Sequence, residues 1–368
     1  MDLEAEFPAR ERQRFRSQLK AWFGKHGRDL PWRQTHDPYT IWVSEIMLQQ
    51  TTVAAVIPYF ERFLKRFPTV DDLAAADIED VLSHWEGLGY YRRGRSLHQA
   101  AQVLRDEHDS TFPSDLSSLQ KLPGIGRYTA GAIRSFAFKL PAPILEANTQ
   151  RVYARLVALP GDLTKRDAQS TLWSFAELLQ PKKDADVVNQ ALMELGSLIC
   201  KPSEPNCPQC PVKTHCRAFA DGRQNEIPQP KERPEITKLV EVALVTKKGE
   251  KFLLRQRQED ERWAGMWDFP RIGPVDLNYA QKLTAVKTKN LLDSVVSLTG
   301  WNVADAAVLS EFRHSVTRYR IRLICVAGEL AGEHKFDDEF AWFSAEQLNE
   351  LPMPITIRKL VNVIQAEM

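Results

Sequence analysis

The chain has 368 residues, of which 43% are hydrophobic and 26% charged, with a net charge of +1 at pH 7. That length supports two sizeable hydrophobic cores. No apolar run nears the roughly 20 residues of a bilayer span, and the balanced charge leaves any phosphate binding to local patches. The opening stretch MDLEAEFPARERQRF is charged throughout and lacks the apolar run of a secretion signal, so a cytoplasmic protein with reduced cysteines is expected.

From Phe15 to about Ile199 apolar residues recur at helical spacing between Pro and Gly breaks, which predicts an all-helical first half. Asp37-Pro38 reads as an N-cap followed by proline in the first turn, and Ile41, Ile46 and Leu48 continue that helix with Glu45 riding on it. In LPGIGRYTAGAI, residues 122 to 133, Gly124 and Gly126 make a tight turn whose following helix offers free N–H groups to a phosphate. An ordinary interhelical turn reads equally well in isolation. In a helical context the stretch looks like a helix-hairpin-helix, which grips a DNA backbone without reading sequence. PAPILEANTQRV, residues 141 to 152, sets Glu146 just ahead of a helix, either as its cap or for chemistry.

Cys200, Cys207, Cys210 and Cys216 follow with the spacing C-x6-C-x2-C-x5-C. Four thiolates so close in a reducing compartment imply a bound metal, either an iron-sulfur cubane or a tetrahedral zinc, although zinc sites more often pair two Cys-x-x-Cys knuckles. Residues 221 to 236 are rich in Pro and charge and read as a linker. Beyond it LVEVALVT and KFLLRQR are strand-like runs around a hairpin-type KKGE, and YRIRLICVAGEL is another strand, with Cys325 in it as core packing. A helix over about 278 to 298 and two short ones near the C-terminus make this second part α+β.

A helix-hairpin-helix followed by this cysteine pattern resembles the endonuclease III superfamily of DNA glycosylases. Within it, RDLPWR (28 to 33), SEIMLQQT (44 to 51), EGLGYYRRGR (86 to 95) and ALMELGSLIC (191 to 200) resemble the MutY family of adenine DNA glycosylases. GMWDFP (265 to 270) is similar to that family's Nudix-like domain. The resemblance implies a multidomain chain. Residues 1–220 form an all-α helix-hairpin-helix glycosylase domain with an iron-sulfur cluster loop at 200–216, residues 221–236 a linker, and residues 237–368 an α+β Nudix-like lesion-recognition domain. It implies a 4Fe-4S cluster on the four cysteines. The implied partner is double-stranded DNA with an adenine mispair, bound by a monomer, in the nucleoid if the source is bacterial, with no membrane.

The implied activity is excision of adenine mispaired with 8-oxoguanine or guanine after flipping it from the duplex. Glu45 matches the acid that protonates the departing adenine. A second carboxylate steadies the oxocarbenium-like sugar. The family pattern there is Leu-Asp-Gly-Asn, whereas this sequence reads Leu145-Glu146-Ala147-Asn148. Either Glu146 fills that role with Asn148, or its extra methylene misplaces the charge by about 1 Å at on the order of 10²-fold in rate, or it only caps the helix. Tyr128 stands where lyases of the superfamily carry a Schiff-base lysine, which implies a monofunctional glycosylase in which Tyr128 bonds Glu146.

Arg28, Trp32, Arg33 and Glu194 match the adenine pocket, although Trp32 reads equally well as core, and Glu194, an acid within a strongly apolar helix, calls for a ligand or a cationic partner. Leu48, Gln49, Gln50, Thr51, Tyr90, Gly124, Gly126 and Arg127 match the DNA-binding surface, with Leu48, Gln50 and Tyr90 as wedges in the base stack. Arg92, Arg93 and Arg95 suit phosphate contact or a solvated face. Where the family carries Phe-Ser-His against 8-oxoguanine, this sequence has Val316-Thr317-Arg318, and a register shifted to Phe312-Arg313-His314 is the alternative. The segment after GMWDFP lacks the paired glutamates of a Nudix metal site, so pyrophosphatase activity is not expected. Two rivals are a glycosylase of shifted mismatch specificity and a catalytically weak lesion-binding protein.

Overall fold

The computed structural model describes residues 2–229, 235–285, 288–332 and 334–366, so part of the predicted linker, 230–234, lies outside the described residues. Two units emerge: Met1–Ala75 with Ser96–Glu232, and Ala76–Arg95 with Arg233–Met368. Sequence patterning gives no hint that residues 76–95, expected in the helical domain, pack with the C-terminal residues.

The first unit is helical throughout its described residues. Its main core packs Phe15 and Leu19 of helix Ala9–His26 against Val152 and Tyr153 of helix Ala147–Leu156, Phe175 of helix Arg166–Leu179, and Leu192 of helix Ala185–Leu198. Phe7 meets Phe15 and Phe175 edge-on at 5.6 and 5.4 Å between centroids. A smaller cluster of Ile41, Ala132, Phe136 and Ile144 ties helix Pro38–Leu48 to helix Arg127–Phe136. Asp37 caps the former through the Thr40 N–H at 2.8 Å. That helix buries every residue from Ile41 to Met47, so Glu45 is carried inside the unit rather than along a solvated face.

The second unit contains strands β1 (Thr237–Val245), β2 (Lys247–Lys248), β3 (Lys251–Gln256), β4 (Trp267–Asp268), β5 (Arg271–Ile272), β6 (Val303–Val316), β7 (Tyr319–Leu330) and β8 (Phe340–Ser344). One sheet runs β5-β1-β7-β6, and the other β2-β3-β4 with β8 on β3. β1 and β7 are parallel, from Thr237 opposite Tyr319 to Val245 opposite Ala327. Their near-continuous apolar runs follow from burial on both faces. Val240, Val242 and Leu244 face the side of helix Thr288–Thr299, whereas Ala243 and Val245 face helix Ile355–Ala366, the period-two alternation of a strand.

Two expectations need correction here. The KKGE connection does form a tight turn, with Gly249 at φ +60°, but it joins β3 to the two-residue β2 and not to β1, which lies in the other sheet. The helix expected over 278–298 begins only at Thr288, after a 3-10 turn at Leu283–Ala285, and residues 286–287 lie outside the described residues. β6 escaped the sequence reading because irregular pairing between Ala304 and Ala307, and again between Val308 and Ser310, breaks its alternation.

Candidate active site

One cavity of about 670 Å³ in the first unit gathers residues from five segments that are distant in sequence. Arg28, Trp32 and Arg33 approach it from the turn before helix Pro38–Leu48, and Glu45 and Leu48 from that helix. Gln49, Gln50 and Thr51 follow, with Gln50 at φ +57°. Gly124, Gly126, Arg127 and Tyr128 come from the hairpin, Glu146 and Asn148 from the start of helix Ala147–Leu156, and Glu194 from helix Ala185–Leu198.

Glu45 is 3% exposed and accepts a 2.5 Å hydrogen bond from the Tyr128 hydroxyl. Burial pushes its carboxyl up to about 7, against the pull of that bond and of Arg33, and the neighbouring Glu146 charge adds to the rise. Burial and the two carboxylates likewise raise the Tyr128 phenol. The expected bond from Tyr128 to Glu146 is therefore corrected: Tyr128 donates to Glu45.

Glu146 has its own partners. Its carboxylate accepts from the N–H groups of Asn148 at 2.7 Å and Thr149 at 2.8 Å, while Thr149 Oγ1 accepts from the Glu146 N–H at 2.8 Å. This reciprocal capping box fixes the carboxylate at the helix N-terminus, where the backbone dipoles favour negative charge. Burial raises its pKa, and the two N–H groups and Arg151 restrain the rise.

Asn148 is held from both sides. Its Oδ1 accepts from Arg151 Nη2 at 2.8 Å, and a Cβ on Gly196 would stand 2.6 Å from the Asn148 Cβ, so only glycine lets the two helices approach this closely. The same Arg151 donates to the Gly196 carbonyl at 2.8 Å and the Cys200 carbonyl at 2.6 Å.

Glu194, with its side chain 1% exposed, receives Arg28 Nε at 2.5 Å, Arg28 Nη2 at 3.1 Å and Arg33 Nη2 at 2.8 Å. Although burial works to raise its pKa, the two guanidinium groups hold the carboxyl below its usual range. Removing this carboxylate leaves two cations facing each other across a largely dry wall. Replacing Glu194 by Leu is expected to cost about 2 kcal/mol in urea unfolding, below the roughly 3–5 kcal/mol of a fully buried pair because Arg28 keeps some water.

Gln190, Met193 and Ser197 also line the cavity and were missed by the sequence reading. They sit four before, one before and three after Glu194 in the chain, so i±3 and i±4 spacing from that acid was the available signal for Gln190 and Ser197.

The four cysteines close a loop after helix Ala185–Leu198. Burial pushes the thiols of Cys210 and Cys216 up to about 12 and about 11, and each is sensitive to the charge of Cys200 and Cys207, so all four face a common region. The buried Arg155 donates to Cys200 Sγ at 3.2 Å and to the carbonyls of Lys201, Pro202 and Ile227. Among the described residues no group of three or more His, Cys, Asp or Glu side chains is arranged to hold a single metal ion. The donor set, four thiols beside a buried cation that offsets thiolate charge, fits a sulfur-ligated cluster.

The remaining site residues are distributed as follows. Arg127 is paired with Glu177 at 2.7 Å and lies 3.8 Å over the Trp173 ring. In the second unit Tyr90 is 53% exposed at φ +50°. Arg93 is half-buried over Trp85 and Tyr90, so it builds the turn rather than projecting from it, whereas Arg92 is exposed. Val316, Thr317 and Arg318 form the tip of the β6–β7 hairpin, with Val316 opposite Tyr319 and Thr317 at φ +51°. The shifted triplet Phe312-Arg313-His314 lies within β6, Phe312 partly buried against the core, and burial beside Arg271 drives the His314 pKa down to about 4.

Comparison with known proteins agrees with this architecture. Residues 43–178 match the model of the HhH-GPD superfamily of base excision DNA repair proteins, and residues 241–363 match that of the NUDIX domain. The chain is 30% identical to the adenine DNA glycosylase of Buchnera aphidicola subsp. Schizaphis graminum, over 94% of this chain and 96% of that one. It is 40% identical to the adenine DNA glycosylase of Mus musculus, over 70% of this chain and 51% of the mouse protein. Among solved structures, a thermostable thymine-DNA glycosylase aligns with a TM-score of 0.53 at 27% identity, over 58% of this chain and 98% of that one. An endonuclease III–DNA covalent intermediate shares the fold at a TM-score of 0.50. On its similarity along nearly the whole length of a curated relative, and on its paired helical and Nudix domains, the chain belongs to the adenine DNA glycosylases of base excision repair.

Proposed function

We propose that this enzyme is a monofunctional glycosylase that hydrolyses the N-glycosidic bond of adenine mispaired with 8-oxoguanine or guanine. The observation that carries the reading is the carboxyl pair in one cavity, Glu45 buried with its pKa near 7 and Glu146 anchored at a helix N-terminus. Adenine is a poor leaving group as an anion. Glu45, about half protonated near pH 7 where an ordinary carboxyl is ionised, supplies the proton as the bond breaks, and Tyr128 holds that carboxyl in place. The sugar left behind is cationic, and the Glu146 carboxylate offsets that charge while Asn148 orients water toward it.

Arg28, Trp32, Arg33 and Glu194 form the wall that receives the flipped adenine. Leu48, Gln49, Gln50, Thr51, Gly124, Gly126 and Arg127 face the duplex, with Tyr90 as a further wedge. The helical glycosylase domain is drawn from residues 1–220, apart from 76–95, which pack with the second unit, and the Nudix-like domain after the linker presents Val316, Thr317 and Arg318 to the lesion. Thr317 keeps a hydroxyl for the lesion, whereas the Arg318 guanidinium cannot accept a hydrogen bond. The enzyme acts as a monomer on duplex DNA, in the cytoplasm or nucleoid.

Single-turnover release from duplexes carrying adenine opposite 8-oxoguanine, guanine or thymine, with and without alkali, tests the reading. Release fastest opposite 8-oxoguanine, with strand breaks only after alkali, is expected. Breaks without alkali would point to a lyase, release at another mismatch to shifted specificity, and tight binding without release to a lesion-binding protein.

Cys200, Cys207, Cys210 and Cys216 are assigned to a 4Fe-4S cluster, which would order the loop they belong to. Iron and acid-labile sulfide assays should find about four of each per chain, and Cys210→Ser should lower both together with thermal stability. Stoichiometric zinc in their place would reject the assignment.

A further inference from the structure

The segment Ala76–Arg95 belongs to the second unit, and one ion pair joins its turn to the C-terminal helix. Helix Ile78–Trp85 buries Val81, Leu82 and Trp85 and ends at Glu86. The Glu86 carboxylate takes a two-pronged contact from Arg358 of helix Ile355–Ala366, Nε at 3.1 Å and Nη2 at 3.0 Å, and a third donor, the Met353 N–H, at 3.4 Å. Arg358 is itself fixed by the carbonyls of Leu348 at 2.7 Å and Leu351 at 2.6 Å. A planar guanidinium used in this way sets direction as well as position.

The turn built on Glu86 holds Tyr90 in a strained backbone and is internally braced. Gly87, Gly89 and Tyr90 all have positive φ, at +101°, +73° and +50°. The Trp85 indole N–H and Arg93 Nη2 both donate to the Gly89 carbonyl, at 3.2 and 3.1 Å, and the Gly87 N–H donates to the Tyr91 hydroxyl at 3.2 Å. Gly94 lies against the Trp85 ring, where a Cβ would stand 3.1 Å away. All of this presents one large aromatic side chain, Tyr90, to solvent. A non-glycine residue at positive φ persists only where its surroundings enforce it.

We propose that Glu86 and Arg358 are positioning residues that aim the Tyr90 turn, so that the C-terminal helix sets the pose of a side chain lying more than 260 residues before it in the chain. The inference rests on the reading of Tyr90 as a wedge in the base stack. In that role a pre-aimed side chain lowers the ordering cost of engaging DNA and leaves the bond-breaking step unchanged. The pair therefore affects capture of mispaired duplex and not excision once the adenine is seated.

The test uses the full chain carrying Glu86→Gln, Arg358→Met, the two together, and Tyr90→Ala. Each clamp variant is expected to raise the enzyme concentration for half-maximal single-turnover excision about tenfold, with the saturating rate unchanged and the double variant no worse than either single one. Amide hydrogen exchange over residues 87–94 in DNA-free protein should accelerate in the clamp variants while exchange in helix Pro38–Leu48 does not. Unchanged exchange at 87–94, or wild-type capture by variants whose turn has loosened, overturns the proposal. If Tyr90→Ala captures DNA normally while exchange at 87–94 still responds, the wedge reading fails, the role in capture falls with it, and the clamp remains only as a device that orders the turn.

Discussion

Replacing Glu45 by Gln is expected to slow adenine release by on the order of 10²–10⁴-fold, the usual contribution of a positioned general acid, while mispaired duplex still binds. Because the carboxyl must be protonated to act and its pKa is raised to about 7 by burial, wild-type excision should decline as pH rises through that value. The same shift makes a stability prediction of definite sign. Between the ordinary carboxyl value of 4.5 and about 7 the folded chain holds a proton that the unfolded chain has released, so this group's contribution falls as pH rises across that window. Glu45→Gln removes the buried charge. It should therefore stabilise the protein at pH 8 by about 3 kcal/mol, with little gain at pH 4. Urea unfolding of both proteins at the two pH values, beside single-turnover rates, checks this. A Gln variant that retains activity, or is less stable at pH 8, would remove Glu45 from the role of acid.

Glu146 should be nearly as sensitive. Glu146→Gln keeps an oxygen for one of the two backbone N–H groups but loses the negative charge, and a fall of on the order of 10²–10³-fold in single-turnover rate is expected. Glu146→Asp can still cap Thr149 and should retain far more activity. The informative comparison is between rate and melting temperature. If Gln and Asp lower the melting temperature alike but differ widely in rate, the side chain acts on the sugar cation as well as on the helix. If rate follows melting temperature, the cap is its whole role. Wild type that binds without release, with release restored in Glu146→Asp, would mean that the longer side chain silences the site.

Cap and catalyst are compatible assignments for Glu146. Both oxygens are occupied by N–H groups on the helix side, and the residue still lines the cavity. That compatibility is invisible in a linear pattern, which shows an acid before a helix and nothing of what lies opposite. Glu194 was easier to read, since an acid in an apolar helix needs a cation, and Arg28 and Arg33 provide two. Helix Pro38–Leu48 was legible from its Asp37-Pro38 start and the apolar residues that follow, and the β1 and β7 runs stood out because both their faces are covered. Tyr128 was read in the right cavity with the wrong partner, because the choice between Glu45 and Glu146 is set by how the helices that carry them pack. What patterning could not supply were features fixed by contacts distant in sequence: the separation of β1 and β3 into different sheets, the bulged β6, and the membership of residues 76–95 in the second unit.

That membership also constrains how the chain can be made. Residues 76–95 leave the ribosome early, whereas the partners of Glu86 are 267 and 272 positions away. During that interval Trp85, Val81 and Leu82 are synthesised without the C-terminal residues their unit requires. The second unit cannot be completed until helix Ile355–Ala366 has emerged. Helix Ile78–Trp85 thus waits for its partner while the intervening residues are made, an interval in which a nascent chain is open to misassembly and to chaperones.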